Sequence, residues 1–420
     1  MNSELMRRAA ITLGALLVYR IGIHLPLPGI DPAAWEFLFR SQEGGILSFA
    51  NIFAGGGVKR MAILALNLVP YLTAAPLVQL FVLFWPRLRA IGEHGDRARR
   101  KIQLCTLGLT LLLAAFQAYG IAIGLEGVGH VVSNPGLFFR ITTVVTLTGG
   151  TFFLVWLSEF ITVRGIGNGL ALILFAGIVA EGPAAVVGTF QLYREGYISD
   201  SVIFGLGPLM VVLVASIVFI ELARRHVPVE YQARQVGDRM VEKGMSTLAF
   251  KLNSAGAIAL VFAGQLLSLL IVLGFVVQWL LIGRQDPEWL SWLGLFAAGR
   301  PGHMVYVAIA VVVISLLYVA LLIDPDQVAE KLKRYGSVIP GIEPGQATAV
   351  YIDSILTRTA ILGCAYLAAV VLVPEALITY AQLPFYFGGA SALILVCTVL
   401  DLQAQVRGYN LITISRERQR

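Results

Sequence analysis

The chain contains 420 residues, of which 57% are hydrophobic and only 13% are charged, and its formal net charge is +6. Soluble domains average roughly 25% charged residues, so this composition excludes an ordinary soluble fold. In a chain this apolar, we expect the positive balance to reflect membrane orientation rather than binding to nucleic acid.

Ten apolar stretches follow one another along the chain and are nearly free of ionisable residues. A helix needs about 20 apolar residues to cross the hydrocarbon core of a bilayer. The pattern therefore predicts an all-α polytopic membrane protein with about ten transmembrane helices and little mass outside the membrane. The predicted spans are 9–25, 61–84, 102–124, 141–157, 168–188, 204–222, 254–273, 305–323, 359–373 and 385–400.

The distribution of basic residues predicts the topology. When successive loops are assigned to alternate sides, the side with both termini carries 23 Lys and Arg residues and the other carries 7. The positive-inside rule places the richer side in the cytoplasm. Because five spans precede residue 201 and five follow it, the half 201–420 would be inverted relative to the half 1–200. Such repeats place the working path, here a central pore, between the halves.

The segment 44–58 is apolar but too short to span a membrane. It holds the sequence ILSFANIF at 46–53 between Gly44-Gly45 and Gly55-Gly56-Gly57. A short helix between glycine hinges could re-enter the helix bundle, where irregular backbone is tolerated if it is surrounded by protein or water. The alternative is an interfacial helix that lies on the membrane surface.

Two long loops, 224–251 and 324–358, are predicted on the basic side. Val227, Val229 and Tyr231 alternate with polar residues, which favours a β-hairpin, and 326–334 has a helical pattern. Both loops exceed the ~2–8 residues usual between packed helices. They are either solvated connectors or docking surfaces for a cytosolic partner. The exposed cations expected to bind such a partner are Arg234, Arg239, Lys331 and Lys333.

The sequence contains no recognisable catalytic or metal-binding set. It lacks a phosphate-binding glycine loop, a zinc-protease motif and a nucleophile elbow, and its three cysteines lie in apolar stretches. The span centres offer only Asn67, Gln117 and Gln265 as polar residues, which argues against a proton-coupled carrier. No catalytic residue, metal or cofactor is therefore expected. In the turn RGIGNG at 164–169, Asn168 is placed to cap the following helix.

Six groups of residues, in order along the chain, resemble the SecY family, the channel-forming subunits of the Sec protein translocase. Each motif is weak alone, but together they extend over nearly the whole sequence. They are YRIGIHLPLPGID at 19–31, VPY at 69–71, RGIGNG at 164–169 with FAGIVA at 175–180, KLNSAG at 251–256, PGIEPG at 340–345 with YID at 351–353, and PFYFGG at 384–389.

The resemblance implies a protein-conducting channel that passes unfolded secretory proteins across the membrane and releases membrane segments laterally into it. The family pore is narrowed by a ring of apolar side chains, and the segment around 46–53 resembles the plug that closes it. The ring then consists of Leu68, Leu72, Leu174, Ile178, Val261 and Ile394. The plug consists of Ile46, Leu47, Ser48, Phe49, Ala50, Asn51, Ile52 and Phe53.

The resemblance also implies a lateral gate, where the second and third spans face the seventh and eighth and where Gln117 and Asn253 would lie. The implied partners are SecE and SecG, a SecA motor or the ribosome, polypeptides with signal sequences, and the lipid of the cell (inner) membrane. An inverted-repeat transporter of small molecules or lipids is the alternative, and a membrane-embedded transferase or protease is a third hypothesis.

The chain departs from the family pattern at four positions. Leu107 and Glu343 stand where the family usually carries arginine, Ala259 replaces a usual proline, and Pro76 is an additional proline. The resemblance therefore predicts a divergent copy, in which Leu107 alters the usual gate contact and Glu343 alters coupling to a motor.

Overall fold

The computed structural model describes residues 3–41, 51–84, 96–231, 234–236, 239–241, 244–256, 259–266, 300–322, 324–381 and 388–417. These residues are mostly helical. The helices are α1 (Ser3–Ile23), α2 (Pro32–Ser41), α3 (Val69–Phe84), α4 (Asp96–Gly127), α5 (Leu137–Arg164), α6 (Gly169–Arg194), α7 (Asp200–Leu222), α8 (Pro301–Leu322), α9 (Pro325–Arg334), α10 (Gln346–Ala381) and α11 (Gly389–Glu417). Residues 259–266 are also helical.

The predicted all-α membrane fold is confirmed. Within the described ranges, seven helices are long and apolar enough to cross a bilayer, namely α4 to α8, α10 and α11. The other three predicted spans correspond to α1, α3 and the helical residues 259–266. Each of the ten predicted spans therefore overlaps helical residues.

Two buried clusters form the cores of the two halves. In the N-terminal half, α1 packs against α5 and α6 through Tyr19, Ile23, Leu154, Ile161 and Ile173, which are all fully buried. In the C-terminal half, α7, the helical residues 259–266, α8, α10 and α11 share a second cluster. The two clusters lie mainly in different halves, although Leu77 of α3 packs against the C-terminal one, and the division near residue 201 stays a prediction.

The predicted second span was wrong at its beginning. Residues 61–68 form turns, and α3 begins only at Val69. Met61 and Asn67 have positive φ angles of 43° and 50°, which an α-helix does not contain. The Oδ1 of Asn67 accepts a hydrogen bond from the Leu68 backbone N–H at 2.8 Å. This side-chain bond takes the place of the backbone hydrogen bond that Leu68 would donate within a helix. Residues 51–68 are called the turn segment below.

The predicted hairpin is confirmed. Strand β1 (Arg224–Tyr231) pairs antiparallel with β4 (Gly244–Lys251), and between them lies a shorter pair, β2 (Arg234–Val236) and β3 (Arg239–Val241). A fifth strand, β5 (Ser337–Val338), pairs with the other edge of β1. The two long loops therefore meet in one three-stranded sheet. This end of the bundle is called the sheet side.

The sheet packs on the first turns of α10. Val227, Val229 and Phe250 are buried against Ile352 and Leu356, and the predicted helix α9 covers the same cluster. At about 1.5 Å per residue, the 36 residues of α10 exceed the thickness of a bilayer core. The first turns of α10 thus extend beyond the membrane and support the sheet.

The predicted ninth span, 359–373, ends too early, because α10 continues through Pro374 to Ala381. The extension includes Glu375, which is 3% exposed and contacts the ring of His303 at the start of α8. Glu375 lies two residues beyond the predicted end of the span. A partner on a neighbouring helix allows it to be buried instead.

Candidate functional site

An apolar cluster lies where the two halves meet. Leu174, Ile178 and Ile394 are buried there, with exposed fractions of 6%, 3% and 4%. Leu174 and Ile178 lie one turn apart on α6 and therefore share a face. Half-buried apolar side chains from α3, the helical residues 259–266, α11 and the turn segment pack against these three. They are Leu72, Val261, Leu395, Ile52 and Phe53.

Five of the six residues expected in the pore ring are brought together in this cluster, which is called the constriction cluster below. Leu68 is the exception: it is fully buried in the neighbouring cluster around Tyr19 and Ile173. Leu72 packs against both clusters and connects them. The six positions thus form a continuous apolar region, but Leu68 belongs to its N-terminal side.

The described part of the expected plug lies on the constriction cluster. Ile52 and Phe53 contact it directly, while residues 46–50 lie outside the described residues. The Asn67 side-chain amide donates a hydrogen bond to the Phe53 carbonyl. Gly55, with a φ of 61°, lies against Gly177 of α6. The segment is therefore held by backbone contacts rather than only by apolar side chains.

Polar groups fix the turn segment to α1 and α6. The Arg20 guanidinium of α1 donates to the Gly55 carbonyl at 2.9 Å. Glu181 of α6 accepts from the Asn51 side-chain amide at 3.3 Å, and the Arg60 guanidinium lies 4.0 Å from it. Asn51 in turn accepts from the Lys59 backbone N–H at 2.7 Å. These contacts pair the charged groups of this region with one another and with the backbone.

Sequence reasoning missed the part played by Glu181. It lies inside the predicted span 168–188, whose centre was interpreted as lacking ionisable residues. Arg20 likewise lies inside the predicted first span 9–25, and Asn67 was interpreted only as a polar residue at a span centre. Glu181 and Arg20, each inside a predicted span, could have indicated a polar contact within the bundle, since ionisable groups in membrane segments are usually paired.

The residues expected at the lateral gate occupy different surroundings. Gln117 is half-buried midway along α4. Asn253 is 4% exposed and donates a hydrogen bond to the Glu221 carboxylate at the end of α7. Where α3 meets the seventh span, Thr73 contacts Gln265, with 3.5 Å between their oxygens.

The residues expected to bind a partner lie on the sheet side. Lys331 and Lys333 are exposed on α9, and Glu343 is exposed in the turn before α10. Arg234 and Arg239 lie in β2 and β3, at the distal part of the hairpin. The backbone carbonyl of Glu343 accepts from the Thr348 hydroxyl at 2.8 Å, which fixes this turn to the start of α10.

The other departures from the family pattern are accommodated by packing. Leu107 is half-buried against the cluster of α1, α5 and α6. Ala259 is fully buried in the C-terminal core. Pro76 lies inside α3, which nevertheless continues to Phe84. None of these substitutions interrupts the helix in which it is described.

The turn at 164–169 connects α5 to α6 and contacts the opposite half. Asn168 caps α6 as predicted, with its Oδ1 accepting from the Leu170 N–H at 3.0 Å. Gly167 has a φ of 90°, and its N–H donates to the Gln405 side chain of α11 at 2.8 Å. The glycines thus allow a tight turn whose backbone contacts the opposite half.

A family model described as SecY matches residues 62–403, which is most of the chain. The protein translocase subunit SecY of Pseudomonas aeruginosa is 40% identical over 411 residues, covering 97% of this chain and 91% of the relative. The chain belongs to the SecY family. The protein translocase subunit SecY of Escherichia coli is 39% identical over 408 residues, covering 96% of this chain and 91% of the relative.

Solved structures share the fold of this SecY-family chain. One described as the structure of a protein conducting channel has a TM-score of 0.62 at 16% identity, covering 96% of this chain and 91% of its own. The structure of an idle yeast Ssh1 complex bound to the yeast 80S ribosome has a TM-score of 0.64 at 14% identity, covering 97% and 90%. At these identities the similarity establishes the architecture of the helices alone.

Proposed function

We propose that this SecY-family protein is the channel-forming subunit of a protein translocase. It passes unfolded secretory polypeptides across the membrane and releases membrane-protein segments laterally into the lipid. The observation that carries the proposal is the constriction cluster, in which four helical elements and the turn segment converge between the halves. Relatives at about 40% identity over nearly the whole chain are named protein translocase subunits, which favours this function over a small-molecule or lipid transporter.

The constriction cluster suits a channel that must accept many sequences and leak few ions. Aliphatic side chains such as Leu174, Ile178 and Ile394 contact a passing polypeptide without requiring a specific hydrogen bond. An apolar constriction also excludes water when it is empty, which raises the barrier to ions. In this proposal the turn segment is the inner part of a plug, and Ile52 and Phe53 complete the resting seal.

The lateral gate is proposed at the junction of α3 and α4 with the seventh span and α8. Thr73 and Gln265 face each other across it with 3.5 Å between their oxygens, while the Thr73 hydroxyl donates its proton to the Val69 carbonyl at 2.9 Å. Separation of the halves would therefore break no strong hydrogen bond at this pair. An apolar signal segment that enters the gate would move from the pore into the lipid. Gln117 is the residue of α4 proposed to contact such a segment.

The channel itself does no bond chemistry in this proposal, and a partner supplies the energy. The sheet side faces the cytoplasm, where Lys331, Lys333 and the distal hairpin bind a SecA motor or the ribosome. SecE and SecG surround the bundle within the cell (inner) membrane, and both termini are cytoplasmic. The basic surface supports this orientation through the positive-inside rule.

Reconstitution tests the function directly. The protein would be purified with its co-purifying subunits and placed in lipid vesicles with a SecA motor, ATP and a precursor carrying a signal sequence. We expect the precursor to become protected from external protease, and no protection when the signal sequence is deleted. Equal protection of both precursors, or of neither, would contradict the proposal.

A further inference from the structure

The side-chain amide of Asn253 is hydrogen-bonded at both ends. Its Nδ2 donates to Glu221 Oε1 at 2.6 Å, and its Oδ1 accepts from the Gly256 backbone N–H at 3.0 Å. Gly256 has a φ of 62° and precedes the helical residues 259–266 of the seventh span. Asn253 therefore closes the turn that leads into this span, and Glu221 fixes the side chain that closes it.

The backbone beside Asn253 is held between α7 and α10. The Leu252 N–H donates to the Ala223 carbonyl at 3.1 Å. On the opposite side, a Cβ atom on Gly363 of α10 would lie 2.9 Å from the Leu252 carbonyl oxygen and 3.4 Å from the Asn253 Cα. The start of the seventh span thus fits closely between two helices, with no side chain from α10 between the backbones.

Glu221 and Asn253 depend on each other. Asn253 is 4% exposed and Glu221 is half-buried, so water has little access to either side chain. Without its partner, each polar group would remain buried with an unmade hydrogen bond, which is costly. Cys397 of α11 lies within hydrogen-bonding reach of the same carboxylate, and Lys251 and Asp401 are close enough to interact with its charge. The carboxylate is consequently the point at which α7, α11 and the seventh span meet.

This point lies on the span that contributes to the other parts of the proposed channel. Val261 of the same span packs in the constriction cluster, and Gln265 contacts Thr73 across the junction of the halves. Any movement of the span away from α3 must be accommodated at its beginning. Because its Nδ2 and Oδ1 are bonded to Glu221 and Gly256, the Asn253 side chain cannot turn away from α7 without breaking its contact with Glu221.

We propose that Glu221 is a positioning residue that holds the first turn of the seventh span against α7 and so raises the cost of opening the lateral gate. The inference rests on the proposed channel function and deepens it. It assigns the resting position of the gate to one carboxylate–amide pair within the C-terminal half. The pair therefore raises the cost of opening the lateral gate, although both of its residues lie on the same side of that gate.

Four variants separate the hydrogen bond from the charge. E221Q keeps a carbonyl oxygen that can accept from Asn253, whereas E221L removes the acceptor. N253D places a second carboxylate beside that of Glu221, and the two negative charges repel each other. E221Q/N253D restores a hydrogen bond with reversed polarity, because the glutamine amide donates to the new carboxylate, which still accepts from the Gly256 N–H.

The measurement is SecA-driven protection of a precursor with a defective signal sequence, in vesicles containing the purified complex. We expect E221L and N253D to increase its transport roughly tenfold, since one hydrogen bond to a charged group is worth about a factor of ten in an equilibrium. E221Q keeps a neutral acceptor in place of the charged one, so its transport should lie between that of the wild type and that of E221L. The double variant E221Q/N253D should transport less of the defective precursor than N253D does. Thermal unfolding midpoints of all variants would be measured in parallel.

The outcomes distinguish this inference from the channel function. Suppose that the wild type transports a normal precursor, and that E221L and N253D transport the defective precursor no better than the wild type does. The inference is then overturned, and the channel function stands. If E221L does not fold, the comparison of N253D with E221Q/N253D decides, and a double variant no better than N253D overturns the inference. A wild type that transports no precursor would overturn the channel function and the inference with it.

Discussion

Gly55 of the turn segment and Gly177 of α6 lie backbone to backbone. A Cβ atom on Gly55 would be only 2.8 Å from the Gly177 Cα, closer than side chains approach in folded proteins. The turn segment can lie this deep because neither residue has a side chain. The contact brings Phe53, two residues earlier, onto the constriction cluster.

Replacing Gly55 with valine should displace the turn segment. The new side chain would collide with Gly177 and Tyr19, and the φ of 61° is unfavourable for a β-branched residue. We expect a resting ion conductance well above that of the wild type in planar bilayers. Gly182→Val is the matched control, since a Cβ there meets no atom within 4 Å. A Gly55→Val channel as tight as the control would show that the segment does not contribute to the seal.

Shortening Ile178 should weaken the seal from the other side. The side chain is 3% exposed and contributes aliphatic bulk to the constriction cluster, so Ile178→Ala should allow water and ions to persist there. We expect increased ion flux and increased transport of precursors with defective signal sequences. Fluorescence of an ion-sensitive dye inside vesicles measures the first effect.

The neighbouring Val179 supplies the control for Ile178. It lies on the same helix but is 47% exposed, so Val179→Ala removes apolar volume outside the cluster. Its ion flux should equal that of the wild type. If both alanine variants leak equally, general loosening of α6 explains the result better than a specific constriction.

Much of this arrangement could be predicted because helical periodicity links motif positions to faces. Leu174 and Ile178 follow the glycine turn by fixed intervals, so a motif that locates the turn also locates both side chains on one face of α6. The hairpin was predictable for a similar reason, since Val227 and Val229 alternate with polar residues in β1.

Tertiary contacts explain what could not be predicted. Residues 61–68 are as apolar as a membrane helix, yet hydrogen bonds to residues 25 and 27 and the positive φ of Met61 and Asn67 impose turns. Local sequence does not report those distant partners. Glu181 was missed because its compensating groups, Asn51 and Arg60, come from a segment far away in the sequence.

Reversing the charges of Lys331 and Lys333 to glutamate should weaken binding of SecA or ribosomes to the proposed cytoplasmic surface. Each exposed ionic contact contributes about 1 kcal/mol or less, so we expect a modest loss that disappears at high salt. Co-sedimentation with vesicles at two salt concentrations measures it. Gln327→Glu, on the same helix, adds negative charge without removing a cation and should have a smaller effect.

Glu343 provides the opposite test. It is exposed in the turn before α10, at a position where the resemblance to the family implies arginine. Glu343→Arg should strengthen SecA-driven transport if this position contacts the motor. Transport unchanged by this substitution and by reversal of Lys331 and Lys333 would indicate that the two loops only connect helices.

Labelling of single cysteines should test the topology. The loops 128–136 and 195–199 should be accessible from outside the cell, and the strands β2 and β3 of the hairpin from inside, as the 23-to-7 distribution of basic residues requires. Maleimide labelling of single cysteines in a variant without the native cysteines measures this. An inside position for 195–199 would contradict the inverted arrangement of five helices in each half.

The three-stranded sheet joins the loops 224–251 and 324–358 into one mechanical unit. β1 continues directly from α7, and β4 leads into the seventh span, while β5 on the other edge of β1 precedes α10. A force applied to the tip of the hairpin is therefore transmitted to three membrane helices together. A bound partner could tilt these helices as a unit, with a torque that increases with the length of the hairpin.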